Sequence, residues 1–242
     1  MLTSVILAIV LPLYTFAAGL IGIPHALLTG RSQFLYWLGR LGVRIGFVLA
    51  RIRVVVHGRE KIPDEPHFIY MMNHNSNLDA PAVFMSLPGE VRALGKKELF
   101  RLPVLATAMR LGGFVPVDRS NRERAIESVR RAAELAAEGA SFLIAPEGTR
   151  SRTGMLLPFK KGGFHMAIES QVPILPITVT GAFELMPPGS GAIKSGRIDI
   201  HFHDPIDTKG LDTKDRQALM ERVRAPMQEA LARHREALGS GD

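Results

Sequence analysis

Cysteine is absent from this 242-residue chain, which excludes disulfides, thiolate nucleophiles and cysteine-held metal. Aromatic residues are sparse, with one Trp and three Tyr, and form no ladder with basic side chains of the kind that stacks nucleobases, so nucleic acid is not expected as a partner. There is no internal repeat, no Gly-x-Ser-x-Gly elbow to present a nucleophilic serine and no Walker-type phosphate loop. Lys, Arg, Asp and Glu are all missing from the first thirty positions, an interval longer than the ~20 apolar residues that cross a bilayer core.

What is present complements those gaps. The formal net charge is +7 and the isoelectric point is near 10.0, so an anionic partner is expected, and with nucleic acid set aside that partner is an acidic membrane surface. Just past the uncharged run, Arg31, Arg40, Arg44, Arg51 and Arg53 punctuate apolar residues such as Phe34, Leu38, Leu41, Ile45 and Val48. Such a basic amphipathic stretch suits an anionic interface. Pro12 and Pro24 allow either a kinked spanning helix or a helical hairpin dipping into one leaflet, and the basic flank places the rest of the chain on the cytoplasmic face of the inner (plasma) membrane. No positive side chain precedes the apolar run, which argues against a cleaved signal peptide.

Beyond the basic stretch, apolar runs alternate with helical patterns. Strands are expected at 53–57, 68–72, 91–95, 114–117, 141–145, 174–180 and 197–202. The fold class is α/β: a single domain with a mostly parallel central sheet flanked by helices, preceded by the N-terminal helical membrane element. The divisions are residues 1–52 for the anchoring helices, 53–238 for the domain that carries the chemistry, and 239–242 for a disordered tail. One helix is expected over 120–138, with a capping box from Ser120 and Glu123, an inward stripe of Ile126, Val129, Ala133 and Ala136, and a stop at Gly139. Another spans 212–237, turning Leu219, Val223 and Leu231 inward and kinking at Pro226. The Gly- and Pro-rich stretch 181–196 reads as a long loop able to act as a lid.

Asn73-His74-Asn75-Ser76-Asn77-Leu78-Asp79 directly follows one of the buried strands. On one helix, five positions would put His74 and Asp79 roughly 140° apart, at ~100° of turn per residue. They meet only if His74 occupies a strand-to-helix loop and Asp79 opens the next helix, where an acid is favoured. A histidine steadied in that way is a proton acceptor near neutral pH. Ser76 is expected to hydrogen-bond locally rather than act as a nucleophile. Downstream, Arg119 and Arg150 each follow an expected strand, and α/β sheets place ligands beyond strand carboxyl ends. Gly148 lets the backbone approach an anion, Thr149 adds a hydroxyl, and Arg150 is suited to grip phosphate through two parallel hydrogen bonds. His201 and His203 share a strand face but lack a third ligand at a recognisable spacing, so no metal is expected.

In order along the chain stand His74 with Asp79, Lys96-Lys97-Glu98-Leu99, Gly112-Gly113-Phe114-Val115-Pro116-Val117-Asp118-Arg119, Pro146-Glu147-Gly148-Thr149-Arg150-Ser151 and Val172-Pro173-Ile174-Leu175-Pro176. This ordered set resembles the glycerolipid acyltransferase family that contains the 1-acyl-sn-glycerol-3-phosphate acyltransferases. Three positions depart from the common pattern, at Asn75, Ala106 and Ala145; none carries charge or moves a proton. The resemblance implies transfer of a fatty acyl chain from acyl-ACP or acyl-CoA to the free hydroxyl of lysophosphatidic acid, giving phosphatidic acid. It implies His74 and Asp79 as the general-base pair, and Lys96, Arg119, Glu147, Gly148, Thr149 and Arg150 as the residues that bind the acceptor's phosphate. No cofactor is implied beyond the thioester co-substrate, with acyl carrier protein as one partner. Direct attack in a ternary complex is expected, since no activated nucleophile is present. Lys160-Lys161-Gly162-Gly163 is available to the donor's phosphopantetheine or an anionic headgroup. The competing expectations are the same chemistry on glycerol 3-phosphate, another lysophospholipid or a lyso-aminolipid, and a non-catalytic membrane-binding module.

Overall fold

A computed structural model describes residues 2–63, 67–118 and 120–239. The short apolar runs become seven strands: β1 (Ile52–His57), β2 (Ile69–Met72), β3 (Val91–Lys96), β4 (Val115–Val117), β5 (Ser141–Ile144), β6 (Ile174–Thr180) and β7 (Gly196–Phe202). They form one sheet in the order β1-β7-β6-β2-β5-β3-β4. From β6 to β4 all neighbours are parallel, and β1 is parallel to β7. Between these strands the β6–β7 junction is antiparallel. Every residue of β2, β5 and β6 is buried, as strands covered on both faces require. The edge strand β4 carries the exposed Pro116, which has no N–H to offer a further strand.

Eight α-helices cover the sheet among the described residues: α1 (Leu2–Thr29), α2 (Gln33–Leu49), α3 (Asp79–Ser86), α4 (Pro103–Leu111), α5 (Arg122–Ala137), α6 (Gly162–Ser170), α7 (Ala182–Leu185) and α8 (Arg216–Gly239). Tyr70, Leu175, Ile177, Ile198 and Ile200 form one core with Phe47 of α2 and Ala82 and Val83 of α3. Ile69, Met71, Phe142 and Ile174 form the other with Ala132, Ala133 and Ala136 of α5, Phe164 of α6, and Leu219 and Val223 of α8.

The uncharged run is one continuous helix with Pro12 and Pro24 inside it, so it does not fold back on itself as a hairpin within the run; α1 packs instead against the basic helix α2. Glycines let the helices touch: a Cβ on Gly22 would come within 2.7 Å of Leu35 and Leu38, and one on Gly19 would overlap Val104 of α4. The Tyr14 hydroxyl donates to Leu38 O at 2.7 Å. One face of α1 is therefore fixed to the domain along most of its length. The opposite face leaves Val5, Ile9, Leu13, Phe16, Leu20 and Leu27 exposed at intervals of about one helical turn.

Several expectations need correction. Asn121, not Ser120, caps α5, accepting from Arg124 N at 3.0 Å, because Ser120 is held by Asp118 through its hydroxyl at 2.6 Å and its amide at 3.1 Å. The buried stripe turns with that start, leaving Ile126 58% exposed. α8 begins at Arg216 rather than at 212 and carries Pro226 inside it, with Leu219, Val223 and Leu231 buried. The 181–196 stretch is not a free loop: it contains α7, Lys194 N bonds Leu185 O at 3.0 Å, and Ile193 N bonds Ser4 Oγ of α1 at 3.0 Å. Gly239 ends α8, and the rest of the expected tail lies outside the described residues.

Candidate active site

The carboxyl ends of β2, β3, β4, β5 and β6 share one edge of the sheet, and the expected site residues lie in the loops that leave it. β2 stops at Met72, but the Asn73 side chain continues its ladder onto β6, donating to Val179 O at 2.9 Å and accepting from Val179 N at 2.7 Å. The main chain is thereby freed to bend without orphaning its neighbour.

His74 sits in that bend and Asp79 is the first residue of α3. His74 Nδ1 lies 3.0 Å from Asp79 Oδ2. The same oxygen accepts from Asn75 N and Ser76 N, each at 2.7 Å. The loop thus wraps one carboxylate oxygen, and an ionised Asp79 selects the Nδ1–H tautomer, leaving the Nε2 lone pair unused among the described residues. Asp79 is wholly buried, and its Oδ1 has no partner among the described residues. Burial pushes its carboxyl up, against the pull of the ring and the two amides. An anion so short of solvation gains when the neighbouring ring takes a proton. Ser76 is fully buried, donating to Met186 O at 2.8 Å and accepting from Leu78 N at 3.2 Å. Its hydroxyl is structural.

The Pro146-Glu147-Gly148-Thr149-Arg150-Ser151 segment grips the histidine's own main chain. Gly148 N closes a turn on Ala145 O at 3.0 Å, with Gly148 at φ +69°, where a side chain would be strained. Glu147 Oε1 accepts from His74 N at 2.6 Å, Oε2 accepts from Leu157 N at 2.8 Å, and Ser151 N donates to His74 O at 2.8 Å. Glu147 is 2% exposed and burial pushes its carboxyl up, against those two amides. Both of its oxygens are engaged by backbone, so its place is as a brace under His74 rather than among phosphate ligands.

The cationic residues contrast with this. Lys96 ends β3, 59% exposed, its Nζ 3.7 Å from Glu98. Lys97 is taken by Asp118 at 2.7 Å; that bond and the Ser120 hydroxyl hold the Asp118 carboxyl well below the usual carboxylate range. Arg150 is half-buried, Thr149 is exposed, and Arg150 has no ion pair among the described residues. Arg119 lies outside the described residues. Lys160 joins this group: its N bonds Pro146 O at 2.8 Å and its side chain folds over Gly148, where a Cβ would meet Lys160 Nζ at 2.9 Å. The Lys-Lys pair marked it in the sequence as a cation for the donor or a headgroup; the fold sets it beside Arg150's loop.

A further residue had no sequence signal. Arg224 of α8 donates to Leu157 O at 2.8 Å and Leu156 O at 3.2 Å, with its guanidinium 5.2 Å from the Phe159 ring centre. It fixes the strip whose amide holds Glu147.

The one close set of metal-type donors among the described residues is His57, Asp199 and His201. The two rings lie stacked, 4.5 Å apart and 9° from parallel, so their in-plane lone pairs do not converge. Asp199 is bonded to His57 Nε2 at 2.6 Å and to Arg197 Nε at 2.7 Å. His203 instead meets the Thr178 hydroxyl at 2.7 Å, and burial lowers its pKa to about 4.

The family described as Acyltransferase matches residues 53–180. A chloroplastic 1-acyl-sn-glycerol-3-phosphate acyltransferase of Brassica napus is 35% identical over 179 residues, 73% of this chain and 51% of that protein. The 1-acyl-sn-glycerol-3-phosphate acyltransferase of Saccharomyces cerevisiae is 33% identical over 209 residues, 84% of this chain and 68% of that one. The chain thus spans about half the length of the Brassica relative and about two thirds of the yeast one. Among solved structures, the 1-acyl-sn-glycerophosphate (LPA) acyltransferase PlsC of Thermotoga maritima superposes with a TM-score of 0.74 at 26% identity, covering 93% of this chain and 94% of that one. With this fold, a histidine–aspartate pair at its strand edge and a family match across more than half its length, the chain belongs to the acyltransferase family.

Proposed function

We propose that this protein transfers a fatty acyl chain from an acyl thioester, acyl-ACP or acyl-CoA, to the free hydroxyl of 1-acyl-sn-glycerol 3-phosphate, giving phosphatidic acid. The observation that carries the reading is the 3.0 Å contact between His74 Nδ1 and Asp79 Oδ2, which leaves Nε2 free, while the loop that carries Arg150 is bonded to the His74 main chain through Ser151. His74 Nε2 takes the hydroxyl proton as the acceptor oxygen bonds to the thioester carbonyl carbon. The C–S bond then breaks and the departing thiolate takes the proton from the imidazolium. Asp79 stabilises that imidazolium. With Ser76 turned to backbone and no cysteine, acceptor and donor react directly in a ternary complex.

Arg150, Lys96, Arg119 and the Gly148–Thr149 backbone receive the acceptor's phosphate, with Lys160 as a further cation. Residues 53–238 form the catalytic domain, and residues 1–52 anchor it. The exposed stripe of α1 lies in one leaflet as a monotopic anchor on the cytoplasmic side of the inner (plasma) membrane, a reading supported by the attachment of its other face to α2 and α4. Ser4 of α1 and the His74 loop are tied to one segment, at Ile193 and Met186, so an acceptor whose tail stays in the lipid has a short path to the histidine.

The test is an acyl-transfer assay on protein purified in neutral detergent, crossing acyl-ACP and acyl-CoA with lysophosphatidic acid, glycerol 3-phosphate, lysophosphatidylcholine and a lyso-aminolipid. Lysophosphatidic acid is expected to give the highest kcat/KM. Equal use of acceptors that lack a phosphate monoester would overturn the acceptor assignment, and inertness of every pair in folded protein would overturn the reaction.

A further inference from the structure

A cavity of about 410 Å³ opens beside the edge strand β4, lined by Arg92 of β3, Arg110 of α4 and Arg131 of α5 together with Phe114, Pro116 and Glu127. Neither His74, Lys96 nor Arg150 lines it. Lys96 pairs with Val117 and Leu94 with Val115, so Arg92 is four residues back along β3 from the catalytic edge, ~13 Å at ~3.3 Å per residue.

Two of the three guanidinium groups are pre-set. Arg92 lies across Gly113, where a Cβ would come within 2.6 Å of its Nε and 3.0 Å of its Cζ, at φ +74°; the glycine is what leaves the arginine its place. Arg110 donates to Phe100 O at 3.2 Å with its Cζ 5.9 Å from the Phe100 ring centre. The one acid in the wall, Glu127, is bonded to Arg130 at 2.8 and 3.2 Å and lies close enough to Arg131 to feel its charge. Arg92, Arg110 and Arg131 have no ion pair among the described residues. Three arginines line the cavity against a single carboxylate that Arg130 already holds, an excess of positive charge that favours an anion, and the guanidinium fork matches phosphate oxygens in pairs.

The surroundings indicate where that anion comes from. Tyr36 of α2 donates to Gly112 O at 2.8 Å, and its ring stacks 6.0 Å from Phe114 in the cavity wall. α4, which ends beside Arg110, packs through Val104 on Gly19 of α1. The cavity therefore borders α2 and α4, the two helices against which α1, the bearer of the exposed apolar stripe, is packed. We propose that it is a second phosphate site, separate from the acceptor's, and that it takes the headgroup phosphate of an anionic phospholipid. Filling it holds the domain against an acidic bilayer independently of turnover.

Binding rather than catalysis tests this. Full-length Arg150→Ala protein in neutral detergent, with the proposed acceptor contact removed, is titrated calorimetrically with dihexanoyl phosphatidic acid, dihexanoyl phosphatidylcholine and inorganic phosphate. Saturable binding of the phosphatidic acid is expected, weakened roughly tenfold or more when Arg92→Ser and Arg131→Ser are added, with little binding of phosphatidylcholine. An Arg92→Lys, Arg131→Lys pair, which keeps charge but loses the fork, is expected to fall between. In an otherwise unaltered chain, Arg92→Ser with Arg131→Ser should leave kcat on micellar substrate unchanged, and that activity also reports folding. Unchanged affinity in the serine variant overturns the site. Inorganic phosphate binding as tightly as the lipid overturns the lipid assignment. Neither result depends on which acceptor the enzyme acylates.

Discussion

The two halves of the proposed active site are built in opposite ways. Around His74 the fold over-determines position: ring, amide and carbonyl are held by Asp79, Glu147 and Ser151, and the supporting carboxylates are buried. Around the expected phosphate, Lys96 is 59% exposed, Arg150 is without an ion pair among the described residues, and Lys160 lies over a glycine. A proton acceptor works through geometry fixed before substrate arrives, whereas cations already neutralised by acids would have to give those partners up. The fold therefore concentrates its hydrogen bonds on the half proposed to handle the proton and leaves open the half proposed to receive the anion.

The largest effect is expected from the over-determined half. His74→Ala should lower kcat at least ~100-fold with little change in acceptor KM and no loss of vesicle binding. Retained turnover would mean that the proton leaves by another route. Arg150→Ala should show the reverse split: a rise in lysophosphatidic acid KM of roughly ten- to a hundredfold, with a much smaller fall in kcat and no penalty on an acceptor lacking phosphate. A kcat loss matching that of His74→Ala would erase the distinction between the halves.

Proton linkage sharpens the contrast through two carboxylates shifted in opposite directions. Glu147 is raised by burial, so between its ordinary value and its folded one the native state binds more protons than the unfolded chain, and stability falls as pH rises through that window. Asp118 is lowered, first by the Lys97 bond. Its contribution is present above the ordinary aspartate range and is lost as pH falls toward the folded value. Thermal melts from pH 3 to 7 should show Glu147→Gln flattening the decline on the rising-pH side and Asp118→Asn flattening the loss on the acid side. Identical pH profiles for the two variants would contradict both assignments.

How much of this was written in the sequence follows from the range of the interactions. The strands were legible to within a residue or so because each is a short apolar run bounded by turn residues, and the His74–Asp79 pair because helical arithmetic forbids the pairing unless a loop intervenes. The roles of Glu147 and Lys160 were not. Glu147 is defined by backbone donors 73 residues before it and 10 after it, and backbone amides are the same at every position. Lys160 faces Gly148 only because Lys160 N bonds Pro146 O. The α5 face was misjudged because Asp118 competes for Ser120 and hands the cap to Asn121, a contest between adjacent residues that spacing alone does not decide.

The smallest predicted effect tests how far the over-determined half extends. Arg224 reaches His74 only through two intermediaries, its bonds to Leu156 O and Leu157 O and the Leu157 N bond to Glu147. Displacing a catalytic group by even 1 Å costs up to ~100-fold. Because Glu147 and Ser151 also hold His74 directly, Arg224→Ala should cost kcat only about three- to tenfold, leave acceptor KM nearly unchanged, and be partly restored by Arg224→Lys. A lower melting temperature would follow from either a positioning or a merely structural role, so the double variant decides. If Arg224 acts through Glu147, adding Arg224→Ala to Glu147→Gln should lower kcat scarcely further, whereas independent residues would multiply their losses. Multiplicative losses would confine the preorganised half of the site to the His74 loop and its two direct contacts.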